Sequence, residues 1–196
     1  MKLDLEFYQR ERVQSIAKEL LGKVLFTRIG NQLTGGIIVE TEAYSYRERG
    51  CHAFDNLRTT RTEVMFKTGG HAYVYLCYGI HEMFNIVTNK QDKPEAILIR
   101  ALQPMEGISI MMSRMNVQRP FKLTSGPGKL TRAMGINRSL NGTLMTENRI
   151  WVEDNGTKIA SKQIMATHRI GIDYAGEDAL LPWRFYIKGN EWISRP

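Results

Sequence analysis

The chain is poor in cysteine, has no long apolar run and lacks the short signatures that mark most catalytic folds. Each lack closes a route. Only Cys51 and Cys77 occur in 196 residues, and they form no C-x-x-C pair. A disulfide framework is excluded, and free thiols in a reducing compartment are expected. No apolar stretch approaches the roughly 18 residues needed to span a bilayer. The start, Met1-Lys2-Leu3-Asp4-Leu5-Glu6, is acidic and has no apolar stretch of the kind a secretory signal needs. A cytoplasmic protein with no membrane partner is expected. Cys51, His52, His71, Cys77 and His81 fall at no recognised zinc spacing, so no metal and no cofactor are expected. A G-x-S-x-G nucleophile motif is missing. Ser125-Gly126-Pro127-Gly128-Lys129-Leu130 has the look of a phosphate loop and fails its test. Leu123 stands where the first glycine belongs, and Leu130 where Ser or Thr is required. Repeats, low-complexity tracts and linkers are absent too, so residues 1–196 are expected to form one domain.

What is present is globular in character, with 42% hydrophobic and 24% charged residues. A net charge of +7 and a pI near 9.5 point to a polyanionic partner, nucleic acid first.

The organising stretch is Gly35-Gly36-Ile37-Ile38-Val39-Glu40-Thr41-Glu42-Ala43-Tyr44. Its β-branched residues read as a strand. Strict alternation puts Ile37, Val39, Thr41 and Ala43 on a core face, and Glu40, Glu42 and Tyr44 on the other. Before it, residues 11–21 have helical spacing and 23–29 read as a strand that turns at Gly30-Asn31. Residues 45–71 show no periodicity. They carry Arg47, Arg49, Arg58, Arg61 and Lys67, with His52, Phe54, Met65 and Phe66 as anchors, so an ordered functional loop is expected. The strand 72–78 puts Tyr73 and Tyr75 on one face. Tyr78, of opposite parity and beside Gly79, should project from a loop tip. The return strand 83–88 holds Asn85 among apolar neighbours, where a buried amide needs partners. The strand 95–102 holds Arg100 on the face of Ala96 and Leu98, where a buried guanidinium needs a carboxylate. Pro104 then reads as the start of a helix with Met105, Ile108, Met112 and Met115 as its core stripe. A short helix follows Ser125 and ends at Gly135. Its N-terminus, with Gly126, Lys129 and Arg132, either holds a phosphate or is a plain cap. Short strands at 150–152, 163–167 and 184–188 close the chain.

From the residues alone, two readings outlast a metal site and a nucleophile triad. A nucleic-acid-binding module would use the charge and the tyrosines, which stack on bases. It would have no use for a glutamate beside Tyr44. A glycosidase acting on a base would need that carboxylate to activate water beside an oxocarbenium-like centre. It would also need aromatic walls for a flipped base and a wedge to fill the gap.

Several motifs in order narrow the choice: Val39-Glu40-Thr41-Glu42-Ala43-Tyr44, Cys51-His52-Ala53, Tyr73-Val74-Tyr75-Leu76-Cys77-Tyr78-Gly79, Asn85, Leu98-Ile99-Arg100-Ala101-Leu102-Gln103-Pro104, Ser125 to Leu130, Arg169-Ile170-Gly171-Ile172, Ala175-Gly176 and Trp183 to Trp192. Together they resemble the alkyladenine type of 3-methyladenine DNA glycosylase over nearly the whole chain. The resemblance implies an α+β fold: a single domain with a curved, mainly antiparallel β-sheet and flanking helices. It implies a monofunctional enzyme that excises alkylated or deaminated purines (hypoxanthine and ethenoadenine among them) from double-stranded DNA, as a monomer and without metal or cofactor. In a bacterium such an enzyme would be nucleoid-associated. The rival of another class is a lesion-binding protein of the same fold with no chemistry, and a small-molecule hydrolase is a second.

By the same resemblance, Glu42 would be the general base and Arg100 would set its ionisation and the water's position. Tyr44 and His52 would stack on one side of the extruded base and Tyr75 on the other. Tyr78 would intercalate. Asn85 would lie at the pocket floor and disfavour the 2-amino group of guanine. Arg58, Arg61, Lys67, Gly126 and Lys129 would meet phosphates. Glu40 is expected to be a solvent or structural carboxylate, and Tyr73 core. Two places depart from the family's pattern. Ser45-Tyr46-Arg47-Glu48-Arg49-Gly50 replaces a Gly-Pro pair, and Arg58-Thr59-Thr60-Arg61 lacks the usual proline.

Overall fold

β1 (Val24–Ile29) turns at Gly30-Asn31 into β2 (Gln32–Ser45), the longest strand of the molecule. The computed structural model describes all 196 residues. Around β2 the sheet is antiparallel. β3 (Ala72–Cys77), β4 (His81–Thr88) and β5 (Glu95–Glu106) lie to one side, in the order β3-β4-β5-β2. The opposite edge of β2 is shared. Residues 32–37 pair with β1, which pairs in turn with β6 (Ile150–Glu153). Residues 40–42 pair with β8 (Arg184–Ile187), and β7 (Ile164–Thr167) pairs with β8. The fold is therefore α+β, an eight-stranded antiparallel sheet with a few helices. No helix is long and apolar enough to cross a membrane.

The glycine pair in β2 allows close approaches. A side chain at Gly35 would strike the Phe26 ring at 2.6 Å, and one at Gly36 the Gln103 carbonyl at 2.9 Å. Next to this pair the alternation breaks. Pairing of β2 with β5 runs from Ile38↔Leu102 to Glu40↔Ala101 and then to Thr41↔Ile99. Val39 on β2 and Arg100 on β5 are each an extra residue at a bulge, a device that re-aims side chains. As a result Ile38, and not Ile37 with Val39, joins Ala43 in the main core. Thr41 faces the same side, donating to the Ala17 carbonyl at 3.0 Å.

The main core lies between the sheet and the helices α1 (Leu5–Tyr8), α2 (Val13–Glu19), α3 (Ile108–Met115) and α4 (Pro127–Met134). A smaller cluster on the other side of the sheet contains Cys51, Val64, Met65, Phe66, Tyr73 and Val87, with Tyr44 and Tyr75 packed against it. That second cluster is the bed of the site.

One expectation is corrected. Pro104 does not open a helix; it lies inside β5 opposite Gly36. The helix starts four residues later, at Ile108, after Gly107, which has φ +67 and packs directly against the Leu33 carbonyl. Any side chain at position 107 would collide there, so the chain turns at that point. Met105 is left exposed, and the fully buried methionine of α3 is Met111, which the assumed stripe omitted.

Candidate active site

The second side of the sheet carries a cavity of about 570 Å³ with mostly apolar walls. β2 contributes Tyr44, β3 Tyr75, β4 Asn85 and β5 Arg100. The loop after β2 contributes His52 and Arg61, and Ile170 to Tyr174 form a further wall. Pro127, the first residue of α4, borders the cavity as well.

Glu42 is fully buried and does not itself line this cavity. Three donors converge on its carboxylate. The Tyr44 hydroxyl donates to Oε2 at 2.7 Å, Arg100 Nη1 donates to Oε2 at 3.2 Å, and the Ile170 backbone N–H donates to Oε1 at 2.8 Å. Two of the donors come from side chains on the same sheet face. The third comes from a segment 128 residues away, which no strand pattern could have indicated. Burial would lower the Arg100 pKa, but the charges of Glu42 and Glu40 outweigh it and raise it. Burial first, then the adjacent Glu42 carboxylate, hold the Tyr44 phenol well above its ordinary value. It therefore stays a donor.

Glu40 is not at a solvent-facing position. It is fully buried and bonds Arg100, Arg184 and Ser194. Tyr73 is buried as expected, but it also lines the cavity, and its hydroxyl meets His52 Nδ1 at 2.8 Å. Burial and then the charge of Arg61 lower the His52 pKa to about 4, so the ring is neutral at ordinary pH. His52 stands edge-on to Tyr75, with ring centroids 4.7 Å apart. The Asn85 amide donates to the Tyr73 carbonyl at 3.2 Å.

The rebuilt stretch before His52 is fixed by Glu48. Its carboxylate accepts from the Ser45 and Gly50 backbone N–H groups and forms a two-point pair with buried Arg169, at 2.7 and 2.6 Å. The Arg169 guanidinium also lies 4.8 Å from the centroid of the Tyr44 ring. The charged pair thus ties residues 45–50 to the segment that follows residue 168. Sequence reasoning missed Glu48, Arg169 and Ile170 as supports of the site; only the Arg-Ile-Gly-Ile motif hinted at the last two.

Tyr78 sits at the β3–β4 turn with φ +50 and 86% exposure, beside Gly79 and exposed Ile80. The cations differ among themselves. Arg58 is engaged by Glu63 and Asp92. The Arg61 guanidinium lies over the Tyr75 ring, 4.6 Å from its centroid. Lys67 and Lys129 are exposed, and neither forms an ion pair. Gly126, with φ +127, caps α4. No three His, Cys, Asp or Glu side chains are grouped to hold a metal ion. Cys51 is buried, its thiol pushed up to about 12, and inert.

A model of the methylpurine-DNA glycosylase family matches residues 6–191. Three relatives, each named "Putative 3-methyladenine DNA glycosylase", are similar over essentially their full lengths. The protein of Natranaerobius thermophilus is 47% identical, with 99% of each chain covered. That of Methanocella arvoryzae is 45% identical, over 98% of this chain and 96% of its own. That of Carboxydothermus hydrogenoformans is 44% identical, over the whole of both chains.

Proposed function

The chain belongs to the methylpurine-DNA glycosylase family, and from that premise we propose that it excises alkylated or deaminated purines from duplex DNA as a single-domain, monofunctional monomer. The supporting observation is the Glu42 carboxylate, held by Tyr44, Arg100 and Ile170 beneath an aromatic-walled cavity.

In this reading the damaged nucleotide leaves the stack and its base enters the cavity. The base stacks on Tyr75, so the Arg61 guanidinium has to leave that ring and is then free to meet a phosphate. Tyr44 and neutral His52 supply the remaining aromatic wall. Tyr78 fills the gap in the duplex. Water attacks C1′ and the N-glycosidic bond breaks, its electron pair going to the purine. The water's proton passes to Glu42, whose Oε2 the Tyr44 hydroxyl has to release first. A purine alkylated at N3 or N7 is cationic, leaves as a neutral base, and is drawn to electron-rich tyrosine faces; a neutral lesion such as hypoxanthine or ethenoadenine has to take up a proton or a hydrogen bond as it leaves. Arg100 holds the carboxylate in place and balances its charge. Asn85, at the cavity floor, would meet an exocyclic 2-amino group with its own amide donors, which selects against guanine.

One observation favours a second reading. Glu42 is sealed from the cavity, its Oε2 occupied by two donors, which suits a lesion-binding protein with little chemistry. The deciding experiment incubates the protein, with EDTA, on a duplex bearing one hypoxanthine or ethenoadenine and on methylated DNA, followed by hot alkali. Cleavage appearing only after alkali is expected. Lesion-selective binding without any alkali-labile site would replace the enzyme with the sensor.

A further inference from the structure

Behind Glu42 lies a second carboxylate that the excision chemistry does not use. Glu40 is fully buried, and four donors converge on it. Arg100 Nε and Arg184 Nε donate to Oε1 at 3.1 and 2.7 Å, and the Ser194 hydroxyl donates to the same oxygen at 2.8 Å. The Ser194 backbone N–H donates to Oε2 at 2.6 Å. The Arg195 carbonyl accepts in turn from Arg184. Residues 194–195 thus come back from 154 positions away to close the far side of a cluster of two buried carboxylates and two buried guanidiniums.

The geometry of Arg100 gives this cluster its meaning. Its Nε is committed to Glu40 and its Nη1 to Glu42, so one planar fork spans both carboxylates. A guanidinium is rigid, and where one edge is held decides where the other points. Arg100 also sits at the bulge of β5, where the ladder alone does not fix its direction. We infer that Glu40, anchored by Ser194 and Arg184, is a positioning residue for base excision: it sets the angle of Arg100 and, through it, the place of the Glu42 carboxylate.

This rests on the glycosylase reading, so the test carries one measurement that needs no activity. Glu40→Gln would leave two buried arginines short of charge and risks misfolding. Ser194→Ala removes one neutral hydroxyl, and Ser194→Thr restores one. Three quantities are compared for wild type and both variants: the single-turnover excision rate, the Kd for lesion duplex, and the ¹⁵N–¹H signal of Arg100 Nε, assigned through Arg100→Lys. Ser194→Ala is expected to lower the rate about 10-fold with Kd held within about twofold, since small misplacements of reacting groups cost rate more than binding. It should also shift or broaden the Arg100 signal, and Ser194→Thr should reverse both effects. An unchanged Arg100 signal, or rate and affinity falling in parallel, would overturn the inference. If the wild type releases no purine, the enzyme reading fails on its own, and the Arg100 signal still decides whether the Ser194 hydroxyl, which bonds Glu40 and also lies 3.5 Å from Arg100 Nη2, sets that side chain.

Discussion

At the scale of single residues the site separates chemistry from support. Glu42→Gln keeps the size of the side chain while removing the charge that accepts the water's proton, and it turns one oxygen that accepts from Tyr44, Arg100 or Ile170 into an amide donor. Excision should fall by at least about 100-fold, the usual scale for loss of a general base, while lesion affinity is retained because the cavity walls are untouched. Turnover comparable to wild type would defeat the assignment. His52 offers a test of a different kind. Its folded pKa of about 4 lies below the ordinary 6.5, through burial and then through Arg61. Between those values the unfolded chain binds the proton and the folded chain does not, so stability is complete above pH 6.5 and falls on acidification toward pH 4. The contribution is as much as about 3 kcal/mol. Denaturant unfolding at pH 4.5 and 7 should show a smaller pH difference for His52→Gln than for wild type; equal differences would mean that the ring is not held neutral by its surroundings. In NMR, Arg61→Gln should move the imidazole midpoint upward, since it removes the charge that opposes protonation.

At the scale of elements, the β3–β4 hairpin and the strand pair β2–β5 have different tasks. The hairpin packs on α4 through His81 and Glu82, and only its turn projects, with Tyr78 at its end and 86% exposed. Tyr78→Ala should therefore weaken flipping from a duplex more than binding to a single strand, where no stack has to be filled. Ethenoadenine fluorescence on both substrates reports this, and equal losses would remove the wedge role. The hairpin was legible in the sequence because its cues are local: alternation, a turn glycine and a tyrosine out of phase. The β2–β5 pair was legible only in part. Glu42, Tyr44 and Arg100 share a face as alternation requires, yet Val39 and Arg100 form bulges that alternation cannot foresee. Pro104 reads locally as a helix start, but its opposite number, Gly36, admits the strand, and the turn is made by Gly107 against Leu33. For Glu40 the sequence left a solvent and a structural role both open, and it is structural, because its partners Arg184 and Ser194 lie at the other end of the chain. What stayed hidden was long-range pairing of charge, which carries no period. The family resemblance supplied the order of motifs, but it did not reveal the pairing of Glu48 with Arg169 that fixes residues 45–50.

At the scale of the whole molecule, the net charge of +7 is the sum of cations in unlike states, and this bears on how DNA would be held. Each phosphate neutralised by a free cation releases counterions, so binding weakens with salt at a log–log slope of about −0.9 per contact. A cation already paired with carboxylates on the protein has less to offer, since it must break that pairing first. Arg58 is such a cation, gripped by Glu63 and Asp92. Lys129 is exposed and unpaired on α4, whose first residue borders the cavity. Lys129→Gln should therefore reduce the magnitude of the salt slope by about 0.9, with an equal effect on undamaged and lesion duplexes. Arg58→Gln should leave the slope nearly unchanged. Titrating a fluorescent duplex at several salt concentrations distinguishes the two. A full unit lost with Arg58→Gln would mean that the Glu63 pair opens when DNA arrives, and that the loop from 58 to 66 is remade by its substrate and is not a preformed edge of the site.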